Sequence, residues 1–160
     1  MTARVPYVQA DPVFARVEAM GRPVLNLYRA LANQPVALAA FLDMSRYVRG
    51  GSSLDPELRE AVILATAQAL GSDYEVAHHS GGVDLDALDE RGRCAVEYAR
   101  SAARTRTCDD ATFERLKAQF STEEIVDLVV TVGWYHLCAV ILGSLEVELE
   151  EGVGRRGTGL

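Results

Sequence analysis

Glu75 and His79 stand four residues apart in the segment SDYEVAHHS, which spans residues 72–80. On a helix that spacing puts both side chains on one face. A carboxylate beside an imidazole can fix its tautomer, raise its pKa and turn it into a proton shuttle. The same spacing also suits an ordinary ion pair on a solvated surface. Glu60 opens the most apolar stretch of the chain, and Gln68 lies eight residues on. Glu60 is either a third acid–base group or a first-turn glutamate that offsets the helix dipole. His136 sits among apolar residues beside Trp134 and Tyr135, where it is either a pocket residue or a core histidine bonded to a carbonyl. His78 adjoins His79, but neighbours on a helix diverge by about 100°, so it is expected to point elsewhere. Three histidines in all, two of them adjacent, make no obvious chelating set, and neither a metal nor any other cofactor is expected.

Other chemistries find no motif. Gly81-Gly82 is not followed by Gly-Lys-Ser/Thr, and there is no Gly-x-Ser-x-Gly elbow. The three cysteines, Cys94, Cys108 and Cys138, include no Cys-x-x-Cys pair and read as reduced thiols. Sixteen basic residues against twenty-three acidic ones give a net charge of −7. Nucleic acid is therefore not an expected partner, because phosphate binding needs a positive footprint. A small anionic substrate remains compatible with a local basic pocket. The chain shows no signal-peptide pattern, and the expected location is cytoplasmic. Its longest apolar stretch, residues 125–145, is interrupted by Asp127, His136 and two glycines. It reads as a buried helix of an oligomer rather than a membrane span.

The elements that must position these residues are all helical. At 160 residues and 49% hydrophobic content the chain suits one domain with a substantial core. Asp11-Pro12, Pro23, Pro35, Asp55-Pro56, Ser72, Asp84 or Asp86, Asp109-Asp110 and Ser121-Thr122-Glu123-Glu124 are start signals. Gly21, Gly50-Gly51, Gly71 and Gly81-Gly82 are stops. Period-2 alternation between hairpin turns is missing, so no sheet is expected. The prediction is an all-α domain over residues 1–149, with about seven helices around a buried central pair, and a disordered Gly- and Arg-rich tail over 150–160.

The segment LDPELREAVILATAQALGSDYEVAHHSGG, residues 54–82, resembles the core motif of the carboxymuconolactone decarboxylase and alkyl hydroperoxidase D-like superfamily. That motif opens Leu-x-x-x-x-Arg-Glu, continues as an apolar helix, and ends in a short helix that carries the reactive groups. In its redox form the short helix holds Cys-x-x-Cys and, four residues later, His. Here Ser72 and Glu75 occupy the cysteine positions, while Glu60 and His79 match the Glu and the His. The stretch STEEIVDLVVTVGWYHLCAVILGSL is similar to the family's last helix. The resemblance implies an alkyl hydroperoxidase D-like fold assembled as a trimer or hexamer. It implies a cysteine-less, decarboxylase-like site in place of a thiol peroxidase, which needs a nucleophilic and a resolving thiol.

On this reading the protein is a cofactor-independent acid–base enzyme. It is expected to act as a decarboxylase, isomerase or other lyase on a small carboxylated keto or lactone compound. His79 is the expected proton donor, Glu75 orients it, and Glu60 is an alternate or supporting group. Tyr74, Ser72, Trp134, Tyr135 and His136 are expected to line the pocket, although Ser72 alternatively only caps its helix. A second reading is a non-catalytic ligand-binding or scaffold oligomer, since a fold alone establishes no activity. A third, a regulator that binds macromolecules, rests only on Arg100, Arg104 and Arg106.

Overall fold

A computed structural model describes residues 3–153. Among these residues there are eight α-helices and no strands: α1 (Phe14–Ala19), α2 (Asn26–Leu31), α3 (Pro35–Arg46), α4 (Pro56–Leu70), α5 (Asp73–His79), α6 (Glu90–Thr105), α7 (Asp110–Gln119) and α8 (Thr122–Leu145). The all-helical expectation holds, with eight helices rather than about seven.

The caps explain most boundaries. The Asp55 side chain accepts from the backbone N–H of Glu57 and Leu58, and Pro56 takes the first helical position of α4. Gly71, at φ 66°, ends α4 in the left-handed conformation that favours glycine. Asp89, not Asp84 or Asp86, caps α6. Ser121 and Glu124 form a complete capping box on α8. The first two helices are shorter than expected, because Asp11 caps only a turn and residues 23–25 stay outside the helix that follows.

Two apolar clusters make up the core. One gathers Leu58, Ala61, Val62 and Ala65 of α4 with α6, Leu116, Leu128 and Val132. The other joins the N-terminal helices through Val17, Leu38 and Leu42 to Ile63, Trp134 and Tyr135. α4 and α8 contribute to both, so they are the central pair. α8 is long and apolar enough to cross a membrane, but half of its most apolar window is buried against the rest of the fold.

Of the tail expected over residues 150–160, residues 154–160 lie outside the described residues. Glu150, by contrast, is half-buried and bonded to α2 and α5.

Candidate active site

α3 does not stop at the two glycines; it widens into a π-helical turn over Tyr47–Gly51. Such turns are uncommon and concentrate at functional sites. A Cβ at Gly51 would come within 3.2 Å of the Tyr47 ring, so any larger residue there would push that ring aside. The turn is tied to α8 by Asp127, which is buried. Its carboxylate accepts from the Ser53 N–H and hydroxyl, both at 2.7 Å, and from the Tyr47 hydroxyl. Burial alone would raise this carboxyl, but the Tyr47 and Ser53 hydrogen bonds hold it below its ordinary value. Between these two anchors Arg49 is carried inward.

Arg49 meets a histidine from the other side. The ring of His79, at the end of α5, donates Nδ1–H to Glu60 Oε2 at 2.7 Å. Its Nε2 faces three groups: the Tyr135 hydroxyl at 3.2 Å, Arg49 Nη1 at 3.4 Å and Glu75 Oε2 at 3.5 Å. These three residues line a cavity of about 220 Å³, together with His79, Tyr28, Phe41, Trp134 and other residues of α2, α3 and α5. Glu60 does not line it. The imidazole thus has a closed side, fixed by a carboxylate, and a reactive side that opens on a small cavity.

The electrostatics follow from this placement. Burial lowers the His79 pKa, but the hydrogen bonds and charges of Glu60 and Glu75 more than offset it, and the net shift is upward. Glu60 moves the opposite way: burial would raise it, and the bond to His79 brings it down. Burial, with the Glu75 charge, holds the Tyr135 hydroxyl protonated well above the usual phenol range. Arg49 stays charged, because Tyr135 and Glu60 outweigh its desolvation. Its Nε is buried and has no hydrogen-bond partner among the described residues. Glu75 favours a proton on Nε2 and Arg49 favours its departure, which suits a group that must do both.

One stability prediction follows. Glu60, lowered in the fold, contributes stability above its unfolded value near 4.5 that is lost as pH falls through its native value. His79, raised in the fold, contributes stability below its unfolded value near 6.5 that is lost as pH rises through its native value. Urea unfolding of Glu60→Gln against wild type should therefore show its largest deficit between these two values and a smaller one at either extreme. A deficit independent of pH would disprove the coupling.

The sequence-predicted residues divide cleanly. Glu60, Glu75 and His79 come together, and Tyr74, Trp134 and Tyr135 line the cavity as expected. Ser72 does not: it occupies the N-cap of α5 without a side-chain cap bond and is not a lining residue. His136 is also excluded. It faces a different side of α8, next to Tyr98, Arg106 and Cys108, since residues 135 and 136 diverge by about 100°. Gln68 is exposed. His78 was expected to point elsewhere, yet it lines the same cavity as His79. The cavity lies against α5 broadly enough to take two adjacent stripes, Tyr74/His78 and Glu75/His79.

Arg49 escaped the sequence reading altogether. The doubled glycine after it, Gly50-Gly51, was its only local signal and reads more simply as a helix stop. Cys138, expected to be a packing residue, lines the cavity too. Burial, reinforced by Glu75, pushes its thiol up, away from thiolate reactivity. All three cysteines are free. No group of three or more His, Cys, Asp or Glu among the described residues is arranged to hold a metal ion.

The carboxymuconolactone decarboxylase family model matches residues 35–91, which contain Arg49, Glu60, Glu75, His78 and His79. The fold matches an uncharacterized peroxidase-related protein from Silicibacter sp. TM1040, with a TM-score of 0.80, 19% identity and coverage of 96% of this chain and 94% of that one. It also matches the alkylhydroperoxidase AhpD core of a peroxidase-related protein from Ralstonia eutropha JMP134, at 0.78, 18% and 96% of both chains. The family model thus covers the stretch that carries the site, and the whole chain has the fold of these alkyl hydroperoxidase D-like proteins. The same fold occurs in the debrominase Bmp8, solved as a cysteine-to-alanine variant with 2,3,4-tribromopyrrole, at a TM-score of 0.80, 16% identity and 94% of both chains. No curated protein matches the sequence significantly.

Proposed function

We propose that this protein is a member of the carboxymuconolactone decarboxylase and alkyl hydroperoxidase D-like superfamily and a cofactor-independent acid–base enzyme that acts on a small carboxylated keto or lactone compound. The observation that carries the reading is His79, held on Nδ1 by Glu60 while Nε2 faces the cavity among Glu75, Tyr135 and Arg49. The size of the cavity limits the substrate to a small molecule. The bound tribromopyrrole of Bmp8 is a small planar ring, which supports the same size class.

In the decarboxylation arm, the bond from the substrate's carbon to its carboxylate breaks and carbon dioxide leaves. The electron pair passes to a β-carbonyl oxygen as an enolate, which Arg49 and the Tyr135 O–H are placed to stabilise. His79 Nε2–H then delivers a proton to carbon, and solvent restores it. A raised His79 pKa keeps the donor protonated near neutral pH. The assay is carbon dioxide release from acetoacetate, wild type against His79→Gln. The scaffold alternative expects no release from either.

We further propose that the chain works as a homo-oligomer, a trimer or hexamer on the family resemblance, closed through α8. Val126, Val129, Leu137 and Val140 form an apolar stripe along this helix, each about half exposed or more. Their spacings of three, eight and three residues keep them on one face, and Gly133 between them allows close backbone approach. Half of an almost uniformly apolar helix is left uncovered in the single chain. The double variant Val129→Glu, Leu137→Glu should therefore run as a monomer in light scattering, with helical content retained. An unchanged mass would refute assembly through this face.

A further inference from the structure

Glu150 reaches the cavity's wall from the far end of the chain. Its Oε1 accepts from the Tyr74 hydroxyl and the Asn26 N–H, both at 2.6 Å, and its Oε2 accepts from His78 Nε2 at 2.9 Å. Burial would raise this carboxyl, but the bonds from His78, Tyr74 and Asn26 pull it down to about 2. The carboxylate is thus a fixed negative charge behind the imidazole. The Tyr74 ring lies against the His78 ring at 4.7 Å between centroids, so the imidazole is held on its edge and on its face. With Nε2–H committed to Glu150, the neutral ring carries its lone pair on Nδ1. That nitrogen has no hydrogen-bond partner among the described residues, and the residue lines the cavity.

We propose that His78, positioned by Glu150, is a second acid–base group of this cavity, which lets one substrate lose a proton to His78 and gain one from His79. The inference rests on the acid–base reading above and narrows it. Decarboxylation needs only a proton donor. Two carboxylate-backed histidines, His79 with Glu60 and His78 with Glu150, suit a β,γ-unsaturated keto compound: the C–H between the carbonyl and the double bond is removed, and the resulting dienolate is protonated at its γ-carbon as the double bond moves into conjugation. In that step His78 Nδ1 takes the proton and the C–H electron pair moves onto the carbonyl oxygen, next to Arg49 and Tyr135. His79 Nε2–H then supplies a proton to carbon as the pair returns. The net reaction is an isomerisation with no change of redox state. Solvent removes the proton from His78 and restores the one on His79. Glu150 does not line the cavity, so it is a positioning residue.

The test runs two probes side by side: levulinate in deuterium oxide, which reports exchange beside the carbonyl, and acetoacetate, which reports carbon dioxide release. Wild type is expected to do both. His78→Gln and Glu150→Gln should each lose exchange about 100-fold and release by less than tenfold, whereas His79→Gln loses both. Equal losses in the two assays would reduce the pair to a structural role and overturn the inference. So would release without exchange in wild type, which would leave the parent reading intact. If wild type did neither, the parent reading would fall and this inference with it. A further measurement needs no turnover: diethyl pyrocarbonate should modify His78, whose Nδ1 is unbonded, at least tenfold faster than His79, whose two nitrogens are engaged. Equal protection of the two histidines would also overturn it.

Discussion

His79→Gln should lower kcat for acetoacetate decarboxylation by about 10²–10⁴, the usual worth of a well-placed general acid. The amide can occupy much of the imidazole's space but cannot titrate near neutral pH. Glu75→Gln should cost less, because Glu75 acts on the reaction through the proton on Nε2, 3.5 Å away. Its effect should appear as an earlier fall of activity on the alkaline side, since the negative charge that favours the imidazolium is gone. Glu60→Gln should move the alkaline limb in the same direction, as it removes the bond to Nδ1. Kinetic pH profiles of the three variants would check this. Full turnover in both His79→Gln and Glu75→Gln would remove His79 from the mechanism.

Asp127→Ala should be the most destabilising single change near the site, at about 3 kcal/mol, corresponding to a Tm lower by roughly 6–12 °C for a chain of this size. The substitution leaves the Ser53 N–H, the Ser53 hydroxyl and the Tyr47 hydroxyl without their acceptor. It also frees the π-helical turn from α8, so Arg49 should lose its place beside His79 and activity should fall beyond the loss in folded protein. Calorimetry with activity measured well below the melting range separates the two effects. An unchanged Tm would mean that the turn is held by other contacts.

The legible parts of this protein are those governed by local rules. Caps, prolines and glycines placed α3, α4, α5, α7 and α8 to within a few residues, because Asp55, Asp109 and Ser121 bond to their own neighbours. The Glu75/His79 pair was legible for the same reason, being one helical turn. Its partner Glu60 was readable as an anomaly, a carboxylate at the head of a buried helix, and as the match to the Glu of the family motif. Arg49, His78 and Glu150 needed tertiary information. Arg49 is turned inward by a π-helical widening that Gly50-Gly51 disguises as an ending. His78 depends on how much of α5 the cavity covers. Glu150 lies in a stretch whose composition reads as tail, and its order comes from Asn26, Tyr74 and His78, 72 to 124 residues away in sequence. His136 misled in the opposite direction: aromatic neighbours suggested a pocket, and one residue's rotation placed it on a different side of the helix.

The segment that carries Glu150 is laced to the opposite end of the chain. The Arg4 N–H donates to the Leu145 carbonyl at 2.8 Å, Arg4 pairs with Glu146, and the Glu148 N–H donates to the Tyr7 hydroxyl at 3.0 Å. The two ends of the described chain therefore run side by side against the wall that holds Tyr74 and His78. Topologically the fold is almost a closed loop. A short linker between the ends, with new termini opened in the exposed turn at Gly81-Gly82, would give a circular permutant. In it the order of the two halves is reversed, and Glu150 precedes His78 along the polypeptide.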